Sequence, residues 1–125
     1  MLRMQLEGID TKLRFDEVGT VLQVSDGVVR IHADVEAVRT SNEVGVTYIT
    51  VQESADGGKT WTTLETFIKE DLNMYEEDSA LYYGTFDFDD TVIGRDYRAL
   101  VGVYAERNGD GDVRSVYTNE VTAKR

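Results

Sequence analysis

Residues 28–38, VVRIHADVEAV, decide the fold class. Val29, Ile31, Ala33, Val35 and Ala37 are apolar, and Arg30, His32, Asp34 and Glu36 stand between them. Successive side chains of an extended chain point to opposite faces, so this pattern predicts a strand with one face in a core and the other in water. Just upstream, Ser25-Asp26-Gly27 marks a turn in which Gly27 is free to take positive φ. Residues 12–24 before it alternate as well, with a break at Gly19, as expected of an edge strand that bends partway.

Downstream, Thr40-Ser41-Asn42-Glu43 reads as a loop and 44–53 as a further strand. Val46, Tyr48, Ile49 and Val51 occupy both parities, which predicts a central strand covered on both faces. Asp56-Gly57-Gly58 turns the chain into a strand over 60–68. KEDLNMYEEDS, 69–79, is acidic and irregular and reads as a loop or a short helical turn. Residues 80–88 form a strand with Tyr82, Phe86 and Phe88 on one parity. After a corner at Asp89-Asp90-Thr91 and Gly94, the positions Tyr97, Ala99, Val101, Val103 and Ala105 alternate as cleanly as the opening stretch. Asn108-Gly109-Asp110-Gly111 is a hairpin loop, and 113–123 the last strand. Seven or eight strands whose apolar faces each need cover predict an all-β, antiparallel, two-sheet β-sandwich, with a closed barrel as the second choice. Residues 1–10 carry no period and are assigned to an N-terminal tail or leading strand; residues 11–125 are assigned to one domain.

A chain of 125 residues is long enough to bury a core without crosslinks. Thirteen Lys and Arg against 24 Asp and Glu give a net charge of −11, which repels phosphate backbones and anionic membranes. Nucleic acid is therefore not an expected partner, and the sequence has no apolar run long enough for a membrane helix. The absence of Cys excludes disulfides, thiol catalysis and Cys-ligated zinc. MLRMQLEGID lacks the basic head and apolar stretch of a secretion signal. A mature secreted domain would look the same.

Two stretches resemble known patterns. IGRDYRALVGVYAERNGDGDVRSVYTNEVTAKR, 93–125, resembles the last two strands of fibronectin type III domains. Tyr97 matches the tyrosine corner of that family, whose hydroxyl bonds back to upstream backbone. Tyr117-Thr118-Asn119-Glu120-Val121-Thr122 matches its ending, with Thr118 in place of the usual Ser. The chain departs from the family in lacking proline and the early core tryptophan. The resemblance implies a fibronectin III-like or immunoglobulin-like sandwich. Ser54-Ala55-Asp56-Gly57-Gly58-Lys59-Thr60-Trp61 is similar to the Asp-box, Ser-x-Asp-x-Gly-x-Thr-Trp, at every defined position. That similarity implies a structural turn: Asp56 accepts from turn amides, Gly58 permits the geometry, and Trp61 packs over the hairpin base. One copy does not make a propeller. The whole chain is also loosely similar to small secreted sandwich domains of Gram-positive bacteria, which implies a location outside the cell or at its surface.

The candidate chemistry is sparse. His32 is the only histidine and lies on the polar parity of its strand, which points to a solvated side chain. Asn108, Asp110 and Asp112 place oxygen donors at alternate positions and form a candidate calcium site, against the preferred reading of a tight hairpin. Asp87, Asp89 and Asp90, with Glu76, Glu77 and Asp78, are read as solvated acidic loops rather than the paired carboxylates of a glycosidase. Trp61, Phe86, Phe88 and Tyr97 are assigned to the core. Tyr75, Tyr83 and Tyr104 form a candidate binding surface, against the preferred reading of sheet support, in which Tyr104 pairs across strands with Tyr117. These readings favour a non-enzymatic extracellular interaction or spacer module that binds a protein or glycan through its loops or an exposed sheet face. The alternatives are a structural subunit of a surface or phage assembly and, third, a small glycan-active enzyme. Beyond the calcium candidate, no cofactor is implied.

Overall fold

The computed structural model describes residues 13–124; the tail or leading strand assigned to residues 1–10 lies outside the described residues. Among the described residues, seven antiparallel strands and one helical turn follow in the order β1 (Phe15–Ser25), β2 (Val28–Ser54), β3 (Thr62–Ile68), α1 (Lys69–Leu72), β4 (Tyr75–Phe88), β5 (Asp96–Arg107), β6 (Asp110–Tyr117) and β7 (Val121–Thr122). All seven strands join one hydrogen-bonded, curled sheet built around β2. The first half of β2 runs between β1 and β4, and its second half between β5 and the pair β3 and β4. β6 and β7 extend the sheet beyond β5.

Two of the hairpins follow directly from turn chemistry. Asp26 and Gly27 have φ of 54° and 79°, and Asn108 and Gly109 have φ of 52° and 83°. Positive φ at both central residues gives the turn whose twist matches the flanking strands. The register that results, Val29 opposite Val24 and Ile31 opposite Leu22, puts apolar side chains of β1 and β2 on one face.

β2 is a single strand of 27 residues, where the sequence pattern predicts two strands and a loop at Thr40-Ser41-Asn42-Glu43. Ser41 is buried in the strand, and its hydroxyl donates to the Arg39 carbonyl at 3.2 Å. The pairing with β4 slips between Glu36 and Ser41, and that with β5 slips between Val46 and Tyr48. Each slip moves the buried set to the other parity. The core-facing residues are Val29, Ile31, Ala33, Val35 and Ala37, then Val44 and Val46, then Ile49 and Val51. The mixed parity of 44–53 therefore records a bulge, not a strand buried on both faces.

The acidic stretch 69–79 also differs from expectation. One helical turn, Lys69–Leu72, ends at Asn73 in the left-handed region, φ 50°, with the Asn73 N–H bonded to the Lys69 carbonyl. β4 then begins at Tyr75, with Glu76 and Glu77 paired to Val44 and Glu43 of β2. Backbone pairing to a central strand outweighs the poor strand propensity of these carboxylates, whose side chains stay in water. The last expected strand, 113–123, is divided into β6 and β7, with Thr118 buried between them.

The curl brings β1 back against the β5–β6 hairpin and the β6–β7 link. Side chains bridge this approach. Asn119 Oδ1 accepts from the Leu22 N–H at 2.8 Å, and Asn119 Nδ2 donates to the Leu22 carbonyl at 3.0 Å. Asp110 and Asp112 accept from the N–H groups of Leu13 and Phe15. Beneath them lies one core that includes Leu13, Leu22, Ile31, Val46, Ile49, Tyr97, Val101 and Ala123. Each Val, Leu or Ile buried there contributes about 1.5–3 kcal/mol of transfer free energy.

Replacing Asn119 by Ala removes both bridges and leaves the Leu22 N–H and carbonyl without partners. The expected loss is about 1–3 kcal/mol of stability by urea denaturation. A variant within a few tenths of a kcal/mol of wild type would show that this amide does not fasten β1.

Candidate functional site

The outward face of β1, β2 and β4 carries the most concentrated set of exposed side chains that are not tied into the core. The pairing sets it out in rows. Glu17, Glu36 and Leu81 form the first, Gly19, Asp34 and Tyr83 the second, and Val21, His32 and Thr85 the third. Gln23, Arg30 and Asp87 form the fourth. Val21, Leu81 and Tyr83 are large and exposed, with Tyr83 at 68%. Tyr83 is nonetheless fixed: its hydroxyl lies 3.2 Å from His32 Nδ1, and the rings stack at 6.3 Å between centroids. His32 Nε2 is held in turn by Gln23 Oε1 at 3.2 Å. At the far end Arg30 and Asp87 form a bidentate pair, at 2.8 and 3.0 Å. The sequence reading of His32 as a polar-face residue is thus met, but as the support of an aromatic ring.

Two shallow grooves meet at Asp34 and Tyr83. One, of about 380 Å³, is lined by Gly19, Val21, His32, Asp34 and Tyr83. The other, of about 210 Å³, is lined by Glu17, Asp34, Val35, Glu36, Leu81, Tyr82 and Tyr83. Gly19 makes room for the Asp34 carboxylate, with which a methyl group there would collide. The smaller groove lies below the range of about 300–1,000 Å³ typical of ligand pockets, and the larger near its lower end.

Tyr75, Tyr83 and Tyr104 do not form a row. Tyr104 is buried at 9% exposure, and its hydroxyl donates to Glu43 Oε1 at 2.8 Å. Lys69 Nζ binds the same oxygen at 2.8 Å and lies 4.7 Å from the Tyr104 ring centroid and 5.4 Å from that of Tyr75. The Lys69 ammonium and the Tyr104 hydroxyl hold the Glu43 carboxyl below its usual range. Burial, then the bond to Glu43, pushes the Tyr104 phenol up to about 12. Across β5 and β6, Tyr104 faces Val113 and Tyr117 faces Leu100, so the expected Tyr104–Tyr117 pair does not form.

The Ser54–Trp61 turn is organised by two side chains. Ser54 Oγ accepts from the Gly58 N–H at 2.8 Å and donates to Asp56 Oδ1 at 2.8 Å. Asp56 accepts from the N–H groups of Lys59 and Thr60 at 3.1 and 2.9 Å, and from the Thr60 hydroxyl at 2.6 Å. Gly58 has φ of 90°. Trp61 is not a core residue. It falls on the outward face, where the Arg98 guanidinium lies 4.3 Å from its ring centroid and 4.4 Å from that of Tyr117. Gln52 Oε1 accepts from Arg98 Nε at 2.8 Å and holds the guanidinium between the rings. Alternation along β5 marks Arg98 as outward, but no local signal pairs it with Trp61.

Tyr97 is fully buried, and its hydroxyl accepts from the Val92 N–H at 2.7 Å and donates to Glu53 Oε2 at 2.6 Å. Arg95 Nη1 binds the other Glu53 oxygen at 2.7 Å. Burial and the bond to Glu53 push the Tyr97 phenol up to about 12. Phe88 is buried as expected, and Phe86 is partly buried against Phe67 at 4.7 Å between centroids.

Asn108 sits in its hairpin turn with its N–H donated to Asn42 Oδ1 at 2.6 Å. Asp110 and Asp112 each direct Oδ2 at a β1 amide, as described above. Among the described residues no three His, Cys, Asp or Glu side chains converge on a metal position. Of the acidic clusters, Glu76, Glu77 and Asp78 lie on the exposed start of β4 and Asp87 is tied to Arg30. Asp89 and Asp90 follow β4 in the exposed link to β5.

No family model matches the chain. Over 32 residues, 26% of its length, it is 72% identical to the ATP synthase subunit alpha of Phocaeicola vulgatus. It is 69% identical over 32 residues to the protein of the same name from Parabacteroides distasonis. The chain spans about 6% of the length of these curated relatives. A solved hypothetical protein from Pyrococcus horikoshii OT3 superposes with a TM-score of 0.39 at 11% identity, covering 84% of this chain and 89% of that one. A likeness at that level carries no argument about fold or function.

Two predictions follow from the turn and the corner. Its hydrogen bonds, led by those from Thr60, lower the Asp56 carboxyl to about 2. The charged form is thus favoured by folding. Its contribution is complete above the ordinary carboxylate range and fades as pH falls from about 4 through 2. The stability gap between wild type and Asp56→Asn is expected to close across that window in acid titrations followed by circular dichroism. A gap that is constant with pH contradicts the assignment. Replacing Tyr97 by Phe strands the Val92 N–H and a Glu53 oxygen, at an expected cost of about 1–3 kcal/mol in urea unfolding. An unchanged midpoint would remove the corner from the account.

Proposed function

We propose that this chain is a non-enzymatic binding module that works outside the cell or at its surface. Its curled sheet is read more finely as a fibronectin III-like or immunoglobulin-like β-sandwich with a single Asp-box turn. The Tyr97 hydroxyl bonded to the Val92 N–H and the Ser54–Asp56–Thr60 hydrogen bonds support that reading. The observation that carries the function is the β1–β2–β4 face, where Val21, Leu81 and a fixed Tyr83 stand exposed beside open grooves. A rigid aromatic on a flat sheet offers contact area at little entropic cost, which suits a protein or glycan surface. The net charge of −11 argues against nucleic acid. No helix among the described residues is long and apolar enough to cross a membrane.

A structural subunit is the second reading, favoured by β3. Among the described residues β3 pairs with β2 alone, and its sequence TTLETFI has one charge and exposes Leu64 and Ile68. Such an edge can pair with a strand of another chain. Sizing chromatography across rising concentration separates the two readings, since edge assembly produces oligomers and a binding module stays monomeric.

The binding reading is tested with the double variant Leu81→Ser, Tyr83→Ser, whose side chains lie outside the core. Labelled wild-type protein is expected to be retained on isolated bacterial envelopes or a glycan array. The variant, with its melting temperature unchanged, is expected to lose about tenfold or more of that retention. Equal retention of both proteins, or retention of neither, would end this proposal in favour of a spacer.

A further inference from the structure

Resting on the reading of the β1–β2–β4 face as a binding surface, we infer that its partner is an extended, basic polypeptide segment with an arginine seated between Tyr83 and Asp34. Three carboxylates, Glu17, Asp34 and Glu36, line the grooves together with Leu81, Val21 and Tyr83. None of the three is in an ion pair with another described residue, whereas Asp87, Glu43 and Glu53 each have a cation. An acidic glycan or acidic protein surface is repelled here. A neutral sugar would have to strip water from three carboxylates without supplying charge in return.

A guanidinium answers each feature of the site. Its plane stacks on an exposed tyrosine ring, its fork matches a carboxylate, and its aliphatic stem covers apolar neighbours. The Tyr83 ring is already held in place by His32, which is in turn held by Gln23, so little order is lost on binding. The Asp34 carboxylate lies over Gly19, where a side chain would displace it, and it is exposed to an approaching cation. The surface rows are two residues apart, about 6.6 Å, which is the spacing of alternate side chains on an extended segment. Neighbouring side chains of an extended segment point to opposite faces, so alternating basic and apolar residues turn all the basic ones to the sheet, one against Tyr83 and Asp34 and the next against Glu17 and Glu36.

The probe is an end-blocked octapeptide of alternating Arg and Val, with an alternating Glu and Val octapeptide and cellohexaose as comparisons. Binding is followed by calorimetry and by amide shifts in nitrogen-15 spectra of the full chain. Shifts confined to 17–23, 32–36 and 81–85 are expected for the Arg peptide, with affinity falling as salt rises. Asp34→Asn and Tyr83→Ala are each expected to weaken binding by about tenfold or more. Glu70→Gln on α1, which removes the same charge elsewhere, is expected to change it less than about twofold. If Glu70→Gln weakens binding as much as Asp34→Asn, the attraction is net charge alone and the inference fails. It fails also if shifts appear on other surfaces or if the Arg peptide does not bind at millimolar concentration. Cellohexaose shifting the same amides while the Arg peptide does not would overturn the basic partner and leave the binding-module reading intact. Silence from all three probes overturns the basic partner, and the envelope-retention result then decides the wider reading.

Discussion

The structure depends on one strand keeping its apolar side chains inside while it changes neighbours. β2 contributes to every part of the sheet except the outer strands β6 and β7, and no other element could hold the two ends of the curl together. A strand of 27 residues with strict alternation would put its core residues on one flat face. The slips after Glu36 and after Val46 let β2 turn, so that Val35 and Ile49 reach the same interior from different parts of the sheet. Bulges of this kind bend a strand and raise its twist, and here they replace the loop that polar residues at 40–43 suggest.

The curl leaves β1 facing the far end of the sheet without a backbone ladder to it. Polar side chains supply the missing bonds, and this explains residues that look functional in the sequence. Asp110 and Asp112 resemble ion ligands in spacing, yet both point an oxygen at β1 amides. Asn119 clasps Leu22 through both its N–H and its carbonyl. Glu43 and Glu53 are drawn inward by tyrosine hydroxyls and paired with Lys69 and Arg95. These four carboxylates are thereby tied into the fold, and those left without a described cation include the ones on the β1–β2–β4 face.

What was legible in the sequence was the local part. Alternation at 28–38 and 97–105 marks the two core strands and their main buried face, but not Gly102 and Tyr104, which are buried on the other parity. Asp26-Gly27 and Asn108-Gly109 gave two turns, because positive φ at both positions has few residue solutions. The failures are where long-range pairing decides. The 40–43 and 75–79 segments are polar by composition but become strand because β2 and β4 offer each other hydrogen bonds. Trp61 reads as a core residue in the sequence, although its surroundings are set by Arg98 and Tyr117, which are distant in sequence. Of the three tyrosines singled out, Tyr83 alone is open, and only the register of three strands reveals the row it shares with Asp34 and Gly19.

The β1–β2–β4 face and the core are therefore two sides of the same register: Gly19, Asp34 and Tyr83 align outside because Val18, Val35 and Tyr82 align inside. The most direct test of that dependence is native-state hydrogen exchange of the β2 amides. If β2 is one continuous strand, the slowest amides in 29–35 and 46–51 exchange with the same opening free energy and respond together to denaturant. Exchange of the two halves at separate free energies, with protected amides on either side of a freely exchanging 39–43, would show two strands joined by a loop and contradict the account.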